Sequence, residues 1–279
     1  MLTGRTKLMG VIGHPVGHTL SPRMHNAAFA ADRADYAYLA MDVAPERLAT
    51  AVEGLSALGF LGFNVTMPHK EAMLPLVDEL DDAARLAGAV NTVVVDEGGK
   101  LRGLNTDGSG FVEACAEANV SLSGRRVLVL GAGGAASAIA VAVLGEGVSR
   151  LCLANRTLEK ARRLRERLVG FAGGAEVVVR SLDEIGEAAT EAEVLINATY
   201  LGMREEHPLP FPVACLKREK VVCDAVYSAG RETGLILSAR ENGARTVSGD
   251  RMLLYQGVQA QRAWTGREPN VSVMSDALA

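Results

Sequence analysis

At 279 residues the chain exceeds what one hydrophobic core ordinarily supports, so two domains are expected. With 48% apolar and 22% charged residues it has the balance of a packed globular protein, which excludes disordered and fibrous classes. A formal net charge of −4, with basic residues scattered among acidic ones, excludes an electrostatic nucleic-acid surface.

In chain order, short apolar runs at residues 7–12, 36–41, 62–65 and 89–95 predict strands. Helix formers with apolar residues three or four apart predict helices at 22–31, 45–58 and 70–80, and Pro22 and Pro45 suit first turns. Glu97-Gly98-Gly99-Lys100 is a turn joining 93–95 to 101–104, which predicts an antiparallel hairpin at one edge of the first sheet. A helix over 107–119 then carries the crossing between domains. The second series places strands at 127–130, 150–154, 176–179, 194–197, 221–225 and 245–247, separated by helical segments, so a parallel sheet is expected. The dense basic stretch 160–167 interleaves with Leu158, Ala161, Leu164 and Leu168 and reads as the solvated face of a helix. A last helix, 251–264, carries Gln256, Gln259 and Gln261 and can pack back on the first domain.

Cys115, Cys152, Cys215 and Cys223 form no Cys-x-x-Cys pair, so reduced thiols in a cytoplasm are expected. Neither a secretory leader nor a membrane span is expected, because no apolar segment is long enough. His14, His18, His25, His69 and His207 lack a carboxylate or cysteine to complete a familiar ligand set, and no metal is expected.

Val127-Leu128-Val129-Leu130 runs into Gly131-Ala132-Gly133-Gly134-Ala135-Ala136 and then an apolar helix, which is a dinucleotide fingerprint in its proper context. Gly131 permits the tight turn, Gly133 lets the backbone approach a pyrophosphate, and Ala136 allows close helix packing, with helix N–H groups facing the phosphate. The next strand ends Ala154-Asn155-Arg156-Thr157. A carboxylate there would select the ribose of NAD, whereas the Arg156 guanidinium suits a 2′-phosphate, with Thr157 and Lys160 adding donors; NADP is therefore expected. Thr157 also fits the N-cap of the following helix.

Polar clusters fall at the ends of first-domain strands, where open α/β sheets place ligands. They are Gly13-His14-Pro15-Val16-Gly17-His18-Thr19-Leu20-Ser21-Pro22, Asn64-Val65-Thr66-Met67-Pro68-His69-Lys70, Asn91-Thr92 and Gly103-Leu104-Asn105-Thr106-Asp107. With Asn197-Ala198-Thr199, Asp224-Ala225-Val226-Tyr227 and Gly249-Asp250-Arg251-Met252-Leu253, they resemble the shikimate dehydrogenase family over nearly the whole chain.

The resemblance implies an α/β protein of two α/β domains with a central cleft. One is an N-terminal mixed-sheet substrate domain, residues 1–106 completed by 251–279; the other is a Rossmann-like NADP-binding domain, 107–250. It implies an oxidoreductase that interconverts 3-dehydroshikimate and shikimate, on the route to chorismate and aromatic amino acids. Lys70 and Asp107 match its catalytic pair: an ammonium can stabilise a developing alkoxide and deliver a proton, and a carboxylate can orient it and bind a ring hydroxyl. Without the surrounding motifs, Lys70 would read as helix-initial and Asp107 as an N-cap. Thr19 and Ser21 match the hydroxyls that bind the substrate carboxylate, Ser21 also being placed to cap a helix. Thr66, Asn91, Tyr227 and Gln256 complete the polar shell, Met203 and Gly249 fall near the nicotinamide, and Thr199 is a further cofactor-binding residue. Three positions depart from the family: Thr19 replaces a serine, Tyr200 a smaller residue or proline, and Ala229 a proline. The rivals are a quinate/shikimate dehydrogenase of wider specificity or NAD use, and a catalytically silent NADP-binding sensor. The partner expected is the small-molecule substrate, with no nucleic acid or membrane and with a homodimer left open.

Overall fold

β1 (Lys7–Gly13) is buried without a break from Met9 to Gly13, and because side chains alternate along a strand it supplies apolar groups to both faces of a sheet. Met9 and Val11 join Phe29, Tyr38, Ala260 and Trp264 on one side. Leu8 and Ile12 join Val52, Leu55, Phe63, Val65, Met73, Val90 and Val93 on the other. The computed structural model describes residues 2–204, 206–228 and 230–279. The chain divides into two compact units, Met1–Thr106 with Gln256–Ala279, and Asp107–Tyr255.

The first unit holds a six-stranded mixed sheet. Besides β1 it contains β2 (Tyr36–Asp42), β3 (Gly62–Val65), β4 (Glu79–Leu80), β5 (Thr92–Val95) and β6 (Leu101–Leu104), in the order β2-β1-β3-β5-β6-β4. β1 runs parallel to β2 and β3, whereas β5 is antiparallel to both β3 and β6. The hairpin β5–β6 therefore forms as the turn residues require, but it is not the edge: β4 adds to β6 in parallel beyond it. Helix α1 (Ser21–Ala31) buries Met24, His25, Ala28 and Phe29 at helical spacing, and α2 (Leu48–Ala57) buries Leu48, Val52 and Leu55.

Residues 70–80 are not a helix. Pro75 lies in the middle of that span and has no N–H for the ladder, so the segment makes turns, a 3-10 turn at Leu74–Leu76 and then β4. The apolar residues behind the helical expectation, Leu74, Leu76, Val77 and Leu80, still pack on the core. The short α3 (Asp82–Ala87) follows, capped by the Asp81 carboxylate accepting from Ala84 N at 2.6 Å and ended by left-handed Gly88.

The second unit is built on six parallel strands, β7 (Arg126–Leu130), β8 (Arg150–Ala154), β9 (Glu176–Arg180), β10 (Val194–Asn197), β11 (Val221–Asp224) and β12 (Arg245–Val247). Their order, β12-β11-β10-β7-β8-β9, reverses direction between β7 and β10, the switch point where open sheets bind ligands. Val127 to Leu130 and Val194 to Ile196 are almost wholly buried, as strands covered on both faces must be. Helices α4 (Asp107–Glu117), α5 (Gly134–Gly145), α6 (Leu158–Val169), α7 (Ile185–Glu191) and α8 (Gly234–Glu241) complete the unit. α6 buries Ala161, Leu164 and Leu168 and turns its basic residues outward. Lys220 closes the carbonyl end of α7, its Nζ donating to the carbonyls of Ala189, Thr190 and Ala192 at 2.8, 2.7 and 2.5 Å.

Helix α9 (Gly249–Thr265) starts in the second unit, and its residues from Gln256 onward belong to the first, where Trp264 Nε1 donates to the Val93 carbonyl at 2.8 Å. α10 (Val271–Asp276), too short for its periodicity to stand out in the sequence, is capped by Asn270. Among the described residues no helix is long and apolar enough to cross a membrane, and the four cysteines are buried free thiols.

Candidate functional site

In the first unit, the polar residues singled out in the sequence gather where the strands end. Thr19 Oγ1 lies 3.2 Å from Ser21 Oγ and donates to it. Ser21 does not cap α1: the N-cap is Leu20, Pro22 follows in the first turn, and no side chain caps the helix. Its hydroxyl is thus not spent on the helix end. A side chain at Gly13 would run into Thr66, so the loop leaving β1 lies directly against the turn that follows β3. That turn is closed by His69 N donating to the Thr66 carbonyl at 2.9 Å, and by the His69 ring donating from Nε2 to the Val43 carbonyl at 2.7 Å. Lys70 comes next, and its carbonyl accepts Val90 N at 2.9 Å, which sets Lys70 beside Asn91.

Asn91 is buried and makes a dense set of hydrogen bonds. Its Oδ1 accepts from Thr106 N at 2.8 Å and from Thr92 Oγ1 at 2.9 Å, and its Nδ2 donates to Thr106 Oγ1 at 3.0 Å. Thr106 immediately precedes Asp107, a buried residue that begins α4. Gln256 is buried on α9, next to Gly257, where any side chain would meet Met24 and His25 of α1. His25 stacks on Tyr38 with ring centroids 4.3 Å apart, and burial lowers it to about 4, so it is neutral near pH 7. His14 pairs with Asp42 at 2.6 Å. Among the described residues no group of three or more metal-ligating side chains occurs.

In the second unit the glycine turn has the form a dinucleotide requires. Gly131 has a φ of 124°, and a Cβ there would strike the Ala198 carbonyl. Gly133 is exposed, with open space around its α-carbon, and is itself the N-cap of α5. The first intrahelical bond runs from Ser137 N to the Gly133 carbonyl at 2.8 Å, which leaves the N–H groups of Gly134, Ala135 and Ala136 outside the helical ladder, where a phosphate oxygen can accept from them. Ala132 beside them is buried. Beyond β8, Asn155 Nδ2 donates to the Thr157 carbonyl at 2.8 Å, while Arg156, Thr157 and Lys160 are exposed. Thr157 occupies the N-cap of α6 but makes no capping hydrogen bond, contrary to the simplest reading of its position. Arg156 Nη1 lies 3.5 Å from the Tyr200 hydroxyl, so the exposed Tyr200 bears on this corner of the site. Ala229 lies outside the described residues.

Asp224, at the end of β11, ties the remaining candidates together and was not singled out for this in the sequence. Its carboxylate accepts from Asn197 Nδ2 at 2.8 Å, from Thr233 Oγ1 at 2.6 Å and from Val226 N at 3.0 Å. Asn197 Oδ1 in turn accepts from Thr199 Oγ1 at 2.7 Å, so the loop carrying Thr199 and Met203 hangs from Asp224. Tyr227 stands three residues past β11, half-buried, and Gly249 lies against the Val226 carbonyl so closely that no side chain fits. Burial raises Asp224 from 3.8 to about 6, against the pull of its three donors. A carboxyl raised in the folded state binds its proton more tightly there than in the unfolded chain. Its contribution is therefore fully present below about 4 and is lost as pH rises through about 6. The stability difference between wild type and Asp224→Asn should change by ~2 kcal/mol between pH 4 and 6.5 in urea unfolding. A difference independent of pH would show that Asp224 titrates as an ordinary carboxylate.

The signal that could have exposed the buried polar residues was local. Asn64 sits in the otherwise apolar Gly62-Phe63-Asn64-Val65, and Thr92 opens the apolar run of β5. A polar side chain in a fully buried strand needs a partner, and its partner is a candidate site residue.

Comparisons with known proteins point to one family. The sequence profile of the shikimate dehydrogenase substrate binding domain matches residues 11–93, that of shikimate / quinate 5-dehydrogenase matches 114–203, and that of the shikimate 5′-dehydrogenase C-terminal domain matches 251–279. The NADP(+) shikimate dehydrogenase of Rubrobacter xylanophilus is 58% identical over 278 residues, covering 100% of this chain and 97% of that protein. A crystal structure of a shikimate dehydrogenase in complex with NADP+ superposes with a TM-score of 0.91 at 38% identity, covering 100% of this chain and 96% of that one. The quinate dehydrogenase of Corynebacterium glutamicum in complex with NAD superposes at 0.89 with 36% identity, covering 98% of each chain. With matches of this extent and identity, the chain belongs to the shikimate dehydrogenase family.

Proposed function

We propose that this chain is an oxidoreductase that catalyses the reversible, NADPH-dependent reduction of 3-dehydroshikimate to shikimate, a step toward chorismate and the aromatic amino acids. One observation carries the substrate class: in a single unit, two hydroxyls 3.2 Å apart at Thr19 and Ser21 accompany the buried Asn91 amide and Lys70, whose backbone carbonyl takes the N–H of Val90. The hydroxyls can donate to a carboxylate without burying another full charge, and the amide suits a ring hydroxyl. Thr66, Tyr227 and Gln256 are assigned to the same polar shell. A shell of neutral hydrogen-bonding groups rejects analogues that lack a hydroxyl, because its own groups would be left unpaired.

Gly131 to Ala135 are assigned to the pyrophosphate, Asn155, Arg156, Thr157 and Lys160 to the 2′-phosphate, and Thr199, Met203 and Gly249 to the nicotinamide side. Residues 1–106 with 251–279 take the substrate, and 107–250 take the dinucleotide. Bound NADPH supplies a hydride to the carbonyl carbon. As charge grows on the carbonyl oxygen, the Lys70 ammonium stabilises it and donates the proton that makes the alcohol. In the oxidation direction the same amine, neutral, receives that proton. Asp107 accepts a hydrogen bond from a neighbouring ring hydroxyl and completes the proton-handling pair. Four buried thiols are in keeping with a reducing cytoplasm.

The direct test measures cofactor absorbance with shikimate and quinate, each with NADP and NAD. Shikimate with NADP should exceed each other combination by about 10² in kcat/KM. Faster turnover of quinate with NAD would favour a quinate dehydrogenase, and no turnover with any pair would favour a silent dinucleotide sensor.

A further inference from the structure

Asn64 and Thr92 belong to a chain of hydrogen bonds that starts at Tyr38, two strands from Asn64 and three from Thr92, and ends at the amide of Asn91. Tyr38 Oη donates to Asn64 Oδ1 at 2.6 Å. Asn64 Nδ2 donates to the Asn91 carbonyl at 3.2 Å and to Thr92 Oγ1 at 3.0 Å. Thr92 Oγ1 donates onward to Asn91 Oδ1 at 2.9 Å. Tyr38, Asn64, Asn91 and Thr92 are all buried, so each donor and acceptor must be matched within the protein.

Two backbone groups decide which way both side-chain amides point. A backbone N–H only donates, so the Asn91 atom 2.8 Å from Thr106 N is Oδ1. A backbone carbonyl only accepts, so the Asn64 atom 3.2 Å from the Asn91 carbonyl is Nδ2. The Asn64 oxygen then faces Tyr38, whose hydroxyl has a proton to give. Thr92 links the two amides, since its hydroxyl can accept from one and donate to the other. Turning the Asn91 amide end for end would set its NH2 against both the Thr106 N–H and the proton of Thr92. Every link therefore favours the same orientation.

We infer that Tyr38, Asn64 and Thr92 are positioning residues that fix the orientation of the Asn91 amide, and so decide which edge of it a ring hydroxyl of the substrate meets. The inference rests on the place of Asn91 in the proposed substrate shell. None of the three needs to touch the substrate. Thr92 is the link whose removal isolates the effect, because valine has nearly its shape and lacks only the hydroxyl. Without it, Asn64 Nδ2 and Asn91 Oδ1 each lose a partner, while Thr106 N still holds Asn91 from the other side. The amide should loosen rather than reverse.

Steady-state kinetics with shikimate and NADP, alongside fluorescence titration of NADP, test this. Thr92→Val should raise the shikimate KM about tenfold with kcat changed less than about threefold, as expected for lost uniform binding. Thr92→Ser, which restores the hydroxyl, should return KM to within about twofold of wild type, and NADP affinity should be unchanged throughout. A wild-type KM in Thr92→Val, or no rescue by serine, overturns the inference. Should Thr92→Val not fold, Tyr38→Phe carries the test: it keeps the ring on His25, and its KM should rise about threefold, so a wild-type value overturns the inference. Asn91→Ala separates the two levels, with KM expected to rise by about 10². No change there removes Asn91 from the substrate shell. A rise there beside an unaltered Thr92→Val leaves the shell standing and removes the positioning role alone.

Discussion

Replacing Lys70 with alanine should lower kcat by about 10³ in both directions while NADP affinity stays within about twofold of wild type. The size follows from the two tasks given to one amine, stabilising charge on the reacting oxygen and transferring its proton, since loss of either costs a factor of this order. Structural damage is an inadequate alternative cause, because the segment is held by groups other than the Lys70 side chain. His69 fixes the turn through its ring and its N–H, and the contact to Val90 uses the Lys70 backbone carbonyl. Alanine keeps all of these. Pre-steady-state measurement of hydride transfer, with NADP binding followed by fluorescence, separates chemistry from affinity. A small alkylammonium added to Lys70→Ala should recover part of the rate, and lysine would be excluded as the proton carrier by a variant turning over within tenfold of wild type.

The elements that were legible in the sequence share one property: their burial pattern is complete within the segment. β7, β8 and β10 are continuous apolar runs, and α6 has a clean apolar stripe, so each announces itself without reference to the rest of the fold. Residues 70–80 fail this test. Their apolar side chains reach the core from turns and a two-residue strand, which imitates helical spacing while Pro75 forbids the helix. The edge position of β4 was hidden for a related reason: a strand of two residues has no period to read, so the hairpin looked like the boundary of the sheet.

Candidate site residues stand out in the sequence where a motif names them and stay hidden where only a distant partner does. Lys70, Asn91 and the glycine turn stand in local clusters. Asn64 and Thr92 stand in such clusters too, but the relay from Tyr38 to Asn91 was hidden, because it joins residues 38, 64 and 92 through pairings between strands that the sequence leaves unordered. Capping was misjudged in the other direction. Ser21 and Thr157 look like helix caps by composition, yet neither caps, and each is an assigned ligand-binding residue.

Arg156→Asp should weaken NADP binding by about 10²–10³ and leave NAD binding unchanged or improved. Arg156 follows β8 at the position where a carboxylate would accept from the ribose hydroxyls of NAD, and its exposed guanidinium can instead donate in a fork to a 2′-phosphate. Charge-assisted hydrogen bonds contribute about 1.5–3 kcal/mol each, so two of them account for a factor of this size. The substitution also sets a carboxylate against a phosphate. Its effect on the fold should be small: Arg156 is exposed and approaches the Tyr200 hydroxyl at 3.5 Å, while Glu159 on the next turn pairs with Arg163. Ionic strength provides the decisive control, since a contact between exposed charges is screened by salt. Wild-type NADP affinity should fall as salt is raised, NAD affinity should respond weakly, and the NADP affinity of Arg156→Asp should rise as its carboxylate is screened from the phosphate. Equal losses of both dinucleotides in the variant, or matching salt responses for the two in wild type, would take the 2′-phosphate away from Arg156.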